Sequence, residues 1–360
     1  MTSSSYPSEP IKKFLIHNIE AHSKDLARVA AAHFQVSRQA INRHLRELAD
    51  TGIVIPSGNT RARKYSLAVE EFPAFLALDA ATEEHEVWNR HVLPHLDGIS
   101  TSFDILQYGF TEMVNNAIDH SEGTQLTIFT RRSAIATQFV ISDNGIGIFE
   151  KIRRSMNLAD EREAILELTK GKLTTDPTKH TGEGIFFTSR MFDTFSILSG
   201  HYFFHHMPDD SDWLLEATDL SQGTLIRMAV ATDTSRTLMK VFDKYTTPGR
   251  FGFNITHVPV ALAKHGAETL VSRSQAKRLL SRFDRFSQVI LNFAGVDSVG
   301  QAFADEVFRV FPSENEGVTL RWTNTAPDVE KMIGHVLANV SRDDLAKWFG
   351  IGDSSSSGDD

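Results

Sequence analysis

The chain has 360 residues, a length that fits two or three domains, and 41% of it is apolar. There is no cysteine, which excludes disulfides, thiolate zinc sites and cysteine nucleophiles. The net charge of −9 is unevenly spread: residues 1–66 hold ten Lys/Arg against five Asp/Glu, the remainder 27 against 41, so a basic head that suits a polyanion precedes an acidic body.

The start, MTSSSYPSEP, has neither a basic nor an apolar leader segment, and no run approaches the roughly 18 apolar residues of a membrane helix. A cytoplasmic protein with no membrane partner is expected. Three helices are predicted over residues 10–51. In the first, Ile11, Leu15 and Ile19 recur at spacing four. LARVAAAHF is an alanine-rich second helix. Ser37 is the predicted N-cap of a third, whose apolar side is Ala40, Ile41, Leu45 and Leu48. Two short strands follow around a turn at Ser57–Asn59.

The third helix carries Arg38, Gln39, Asn42, Arg43 and Arg46 on its polar side. Arginine suits guanine edges, Gln and Asn suit adenine, and all reach phosphate. The hairpin tip adds Arg61, Arg63 and Lys64. SRQAINRHLRELADTGIV, with the hairpin, resembles the winged helix-turn-helix domains of bacterial transcriptional regulators. The resemblance implies a DNA partner for residues 8–68, with Ser37 at the start of the recognition helix. The competing reading is a docking or dimerisation module. Residues 69–100 are expected to be a helical connector.

Residues 101–247 alternate helix and strand and hold three motifs. In FTEMVNNAIDHS, Glu112, Asn116 and Asp119 fall on one helix face. An amide oxygen is a hard ligand for Mg²⁺, and a carboxylate one turn away can deprotonate an attacking water or hydroxyl. In ISDNGIGI, a strand delivers Asp143, an acceptor for an adenine amino group, and Gly145 and Gly147 let backbone approach a base and sugar. In HTGEGIFFTSRMFD, Gly182 and Gly184 open a helix whose free N–H groups suit phosphate. The roughly thirty polar residues between the last two motifs read as a lid, with Lys179 on phosphate. Thr181 and Thr224 complete the candidate contacts.

Together, EMVNNAID, DNGIGI and TGEGI resemble the N, G1 and G2 boxes of the GHKL (Bergerat-fold) ATPases: gyrase-type topoisomerases, heat-shock chaperones, histidine kinases and mismatch-repair ATPases. The resemblance implies an α/β two-layer sandwich, a mixed sheet covered on one face by helices. It makes ATP and Mg²⁺ the cofactors, Glu112 the general base, Asn116 the metal ligand, Asp143 the adenine reader and Asp119 a further polar contact. Sensor histidine kinases usually carry Asn where Glu112 stands, and no phosphoacceptor helix is legible upstream. Hydrolysis or transfer to a hydroxyl is therefore expected.

Pro248-Gly249 is the predicted boundary before a small α/β unit over 248–345, with 346–360 a low-complexity tail. Strands are predicted near 253–261 and at VILNFAG and VTLRW, helices over 272–286, 302–311 and 327–339. VILNFAGVDSVGQAFADEVFRVF resembles the strand–turn–helix of STAS domains, and more closely a STAS-like domain of unknown function that trails such ATPases. That implies a protein partner there; a homodimer is expected because winged helices and many such ATPases pair. In STAS antagonists the turn carries a phosphorylated serine. Ser298 is its counterpart here, open between an acceptor and a cap. The expected architecture is thus multidomain α/β: winged helix, Bergerat fold, STAS-like domain. The leading function is a DNA-binding regulator driven by ATP hydrolysis, against an anti-sigma-type serine/threonine kinase or a non-hydrolysing sensor. His201, His205 and His206 read as one strand without an acidic partner rather than as a metal site.

Overall fold

The computed structural model describes residues 8–59, 63–79, 81–96, 101–173, 182–207, 212–249, 252–264 and 268–350; for 217–220 it describes the backbone alone. Helices α1 (Ser8–Asn18), α2 (Leu26–Phe34) and α3 (Arg38–Asp50) come first. α1 buries Ile11 and Leu15, as the spacing predicts, and Ile19 is buried just beyond its end. Ser37 does cap α3, its hydroxyl accepting from the Ala40 N–H at 3.2 Å. Ile41, Leu45 and Leu48 point inward. Strands β1 (Val54–Ser57) and β2 (Lys64–Leu67) pair antiparallel, and Val54 and Leu67 close this small separate core.

Strand β3 (Glu70–Ala77) overturns half of the expected helical connector; α4 (Glu84–His91) supplies the other half. Phe72, Ala74 and Leu76 turn toward the core with period two, and Pro73 is tolerated because β3 is an edge strand. The body continues with α5 (Phe103–His120), β4 (Gln125–Arg132), β5 (Ala136–Asp143), α6 (Ile148–Met156) and α7 (Glu161–Lys170). Then come α8 (Gly184–Met191), β6 (Thr194–His206), β7 (Trp213–Ala231) and α9 (Leu238–Lys244). The sheet has the order β3-β4-β5-β7-β6 and is antiparallel throughout, not mixed. Apolar side chains of α5 and α8 share its core; Phe110 meets Phe139 edge-on at 5.2 Å, and Trp88 lies 5.4 Å from Phe110. Each such ring contributes about 2–3 kcal/mol by burial.

The segment expected to be a lid is mostly α6 and α7. Phe149, Ile152, Ile165 and Leu168 recur three apart within each helix and are buried. Only 174–181 of it, with Lys179 and Thr181, lies outside the described residues.

A parallel sheet of order β10-β9-β8 forms the last third, from β8 (Ile255–Pro259), β9 (Gln288–Asn292) and β10 (Thr319–Thr323). Around it lie α10 (Arg273–Leu280), α11 (Gln301–Asp305), which runs through a π turn into α12 (Phe311–Glu314), and α13 (Pro327–Leu337). α14 (Arg342–Phe349) replaces the start of the expected tail: Ser341 caps it, Trp348 and Phe349 are buried, and Gly350 ends it in the left-handed region. Pro248-Gly249 does not separate two cores. Phe253 lies 4.4 Å from Phe186 and 5.0 Å from Phe187, so one apolar cluster spans both sheets.

Candidate functional site

Glu112 and Asn116 stand one turn apart on α5, with Met113 and Ala117 buried beside them. β5 ends at Asp143 and α8 begins at Gly184. Glu112, Asn116, Asp143, Gly182, Gly184 and Thr224 line a single cavity of about 280 Å³. Residues 112 positions apart in sequence, from Glu112 to Thr224, thus converge.

Hydrogen bonds stitch the motifs together. Asp143 Oδ1 accepts from the N–H groups of Gly145 at 2.8 Å and Thr224 at 3.3 Å. The Ile148 N–H donates to Thr224 Oγ1 at 3.0 Å, and the Ile146 N–H to the Ser121 carbonyl at 2.9 Å. Gly145 is obligatory there: a methyl group would lie 2.0 Å from the Ser121 oxygen. At Gly184 a methyl group would lie 2.0 Å from Glu112 Oε2, so the glycine makes room for the carboxylate.

Burial pushes the Asp143 carboxyl up, against the pull of the Gly145 and Thr224 N–H groups. Glu183 is also pushed up by burial, with Lys172 opposing. The Tyr108 phenol is raised by burial first, then by the charges of Glu112 and Glu183. The Asn116 Nδ2 group is buried with no hydrogen-bond partner among the described residues. An orphaned amide on a cavity wall costs about 1–3 kcal/mol and fits a site completed by a ligand.

Asp119 is exposed, and neither it nor Gly145 nor Gly147 is among the residues that line the cavity; the two glycines belong to the turn that follows Asp143. Asn115, His120 and Lys151 also line the cavity, although the motifs alone assign them no role in the pocket. His120 continues the spacing of four from Glu112 and Asn116, a signal that was there to be read. Lys151, in the first turns of α6, also pairs with Glu122 at 2.5 Å.

In the head, Arg38, Asn42 and Arg46 lie at successive spacings of four along α3 and line one recess with Arg63, Lys24 and Arg28. The Arg46 Nε group donates to the Asn42 carbonyl at 3.3 Å. Ser37 is committed to capping. Gln39, Arg43 and Lys64 are exposed outside that recess, with Arg43 3.9 Å from Glu47. Arg61 lies outside the described residues.

Ser298 is exposed in the loop before α11, where Gly300 rather than Ser298 is the N-cap. His206 does have an acidic partner: its Nδ1 bonds Asp212, and both side chains are buried.

Residues 275–330 match the STAS-like domain of unknown function (DUF4325), a span from α10 into α13. No curated protein matches the chain. Among the described residues no helix is long and apolar enough to cross a membrane.

Proposed function

We propose that the chain is an ATP-binding and ATP-hydrolysing regulator whose nucleotide state controls a DNA-binding head. In this reading residues 8–68 are a winged helix, 101–247 a Bergerat fold, and 248–345 a STAS-like domain with a protein partner. The observation that carries it is the convergence of Glu112, Asn116, Asp143 and Gly184 on one cavity, with the Asn116 Nδ2 group buried and unpartnered among the described residues.

The residues present fit Mg·ATP. Asp143, held by two N–H groups on Oδ1, offers an acceptor to the adenine amino group. Asn116 would hold Mg²⁺, which offsets phosphate charge when bound. The start of α8 turns N–H groups toward phosphate. Glu112, 2.0 Å from where a Gly184 methyl would stand, takes the proton of the attacking water. On the head, the line Arg38–Asn42–Arg46 reads base edges, and Lys24, Arg28 and Arg63 meet phosphates.

Calorimetric titration with Mg·ATP is expected to give one site per chain, weakened about tenfold or more by Asn116→Ala. A DNA-shift assay is expected to respond to ATP in the wild type and not in Asn116→Ala. No uptake of Mg·ATP ends the reading; DNA affinity indifferent to ATP ends its regulatory half. The exposed Ser298 supports a second reading, a serine/threonine kinase using Glu112 to activate a hydroxyl. Radiolabel from the γ-phosphate appearing on protein, and lost in Ser298→Ala, would favour it over hydrolysis.

A further inference from the structure

The end of α8, the start and end of α9 and the far end of β6 enclose a second cavity of about 280 Å³. Arg190, His206, Arg236, Lys240 and Lys244 line it, beside Tyr245. No carboxylate is among its lining residues, and none of them lines the Glu112 cavity. Gly184 and Arg190 sit toward opposite ends of α8, six residues or about 9 Å apart along the axis. Repulsion among four Arg/Lys groups around one hollow opposes folding, so the arrangement needs a reason.

Two of the groups are built in rather than surface-bound. Arg190 is 8% exposed, and its guanidinium lies 3.6 Å from the centre of the Phe186 ring. Its Nη1 donates to the Phe186 carbonyl at 3.2 Å and to Ser189 Oγ at 2.9 Å, while its Nε is buried with no partner among the described residues. His206 is 2% exposed; Asp212 fixes its Nδ1, and its Nε2 is buried and equally unpartnered. Each orphaned nitrogen is unfavourable on its own, and both belong to side chains that line this one basic cavity, where an acceptor would offset the cost. The rim cations are adjustable: Arg236 pairs with Asp193, and the exposed Lys240 donates to the Ser235 carbonyl at 3.0 Å.

We propose that this cavity is a separate anion site that takes a small, multiply charged phosphorylated molecule. A phosphate supplies several acceptor oxygens, enough for the Arg190 and His206 nitrogens and for the rim lysines together. The volume of this half-open hollow is at the small end of ligand pockets, which favours a compact metabolite over a macromolecule. The proposal stands independently of ATP binding.

The probe is inorganic pyrophosphate, titrated calorimetrically into the full chain in EDTA, so that no metal-dependent uptake contributes. One site per chain is expected. Lys240→Glu, an exposed change that leaves the fold intact, is expected to weaken it on the order of tenfold or more. Lys277→Glu, an equally exposed change on α10, and Asn116→Ala are expected to leave it unaltered. His206→Gln is expected to weaken it at a temperature well below the variant's own melting point, which is read separately because the change disturbs the buried Asp212 contact. The proposal is overturned by no heat from millimolar pyrophosphate, by binding indifferent to Lys240→Glu, or by equal weakening in Lys277→Glu, which would reveal only a general charge effect.

Discussion

Gly184 and Gly145 both lack room for a methyl group, but what stands in the way differs. At Gly184 the obstacle is the tip of the Glu112 side chain, which can swing aside cheaply. At Gly145 it is the Ser121 carbonyl, 2.0 Å from the added carbon, with the rest of that peptide behind it. Gly184→Ala is therefore expected to keep its stability within about 1 kcal/mol while displacing Glu112, the proposed general base, and under that proposal to cut ATP turnover on the order of a hundredfold. Gly145→Ala is expected to lose about 1–3 kcal/mol or more, because main chain must move. Denaturant midpoints beside a phosphate-release assay separate the two. Full turnover by Gly184→Ala would remove Glu112 from the chemistry. Burial of Asp143 adds a pH signature to the same site. Its folded-state carboxyl titrates above the ordinary value of 3.8, so the protein gains stability from this group as pH falls through that raised value.

The elements differ in how plainly their residues announce them. α5 and α8 were legible because chemistry and period agree: Glu112 and Asn116 at spacing four, glycines ahead of Ile185 and Phe186. β3 was not, since Glu70, Glu71 and Pro73 mask a period of two in Phe72, Ala74 and Leu76, and only pairing with β4 makes it a strand. α6 and α7 were lost among the charges of their outer faces, where Glu150 pairs with both Arg153 and Arg154. α14 was hidden by the serine-rich residues after it. Yet it is part of the core: Phe349 is buried, its ring 5.2 Å from Trp322 on β10. Phe349→Ala is expected to cost about 3–5 kcal/mol and to loosen the STAS-like segment, read as a lower denaturant midpoint. A loss below about 1 kcal/mol would show that α14 is an appendage. Neither orphaned nitrogen beside the second cavity was legible, because β6, α8 and α9 meet there only after folding.

At the scale of the molecule, two junctions of opposite character join the body to the segments before and after it in the chain. The head reaches the body through the Lys13–Asp233 pair at 2.6 Å and the packing of Ile135 against its core. That ion pair is about half exposed and is worth roughly 0–1 kcal/mol, so it adds little to holding the head in place. The STAS-like side is locked instead. Lys170 is fully buried; its ammonium bonds Glu167 at 2.5 Å and the Ser281 carbonyl at 3.0 Å, and burial pulls its pKa down to about 8 against the attraction of Glu167. Arg282, within the STAS-like match, holds Glu167 at 2.8 Å, the Gly171 carbonyl at 2.9 Å and the Lys172 carbonyl. The next residue, Leu173, lines the Glu112 cavity and donates its N–H to the Gly182 carbonyl at 2.9 Å. Arg282 thus clamps the backbone entering the site from one lobe while belonging to the other. If the chain binds nucleotide and a protein partner as proposed, a change that the partner makes at Arg282 is expected to alter nucleotide affinity, and reciprocity then requires nucleotide to alter partner affinity by the same factor. Arg282→Met, which touches no cavity-lining side chain, is expected to weaken Mg·ATP binding about fivefold or more, beside a loss of stability from the bonds it abandons. Lys277→Glu on the exposed face of α10 is expected to leave the affinity alone, and so is Lys13→Ala at the head. If Arg282→Met melts earlier but binds Mg·ATP as the wild type does, the clamp holds shape only, and signals between the STAS-like segment and the nucleotide must take another route.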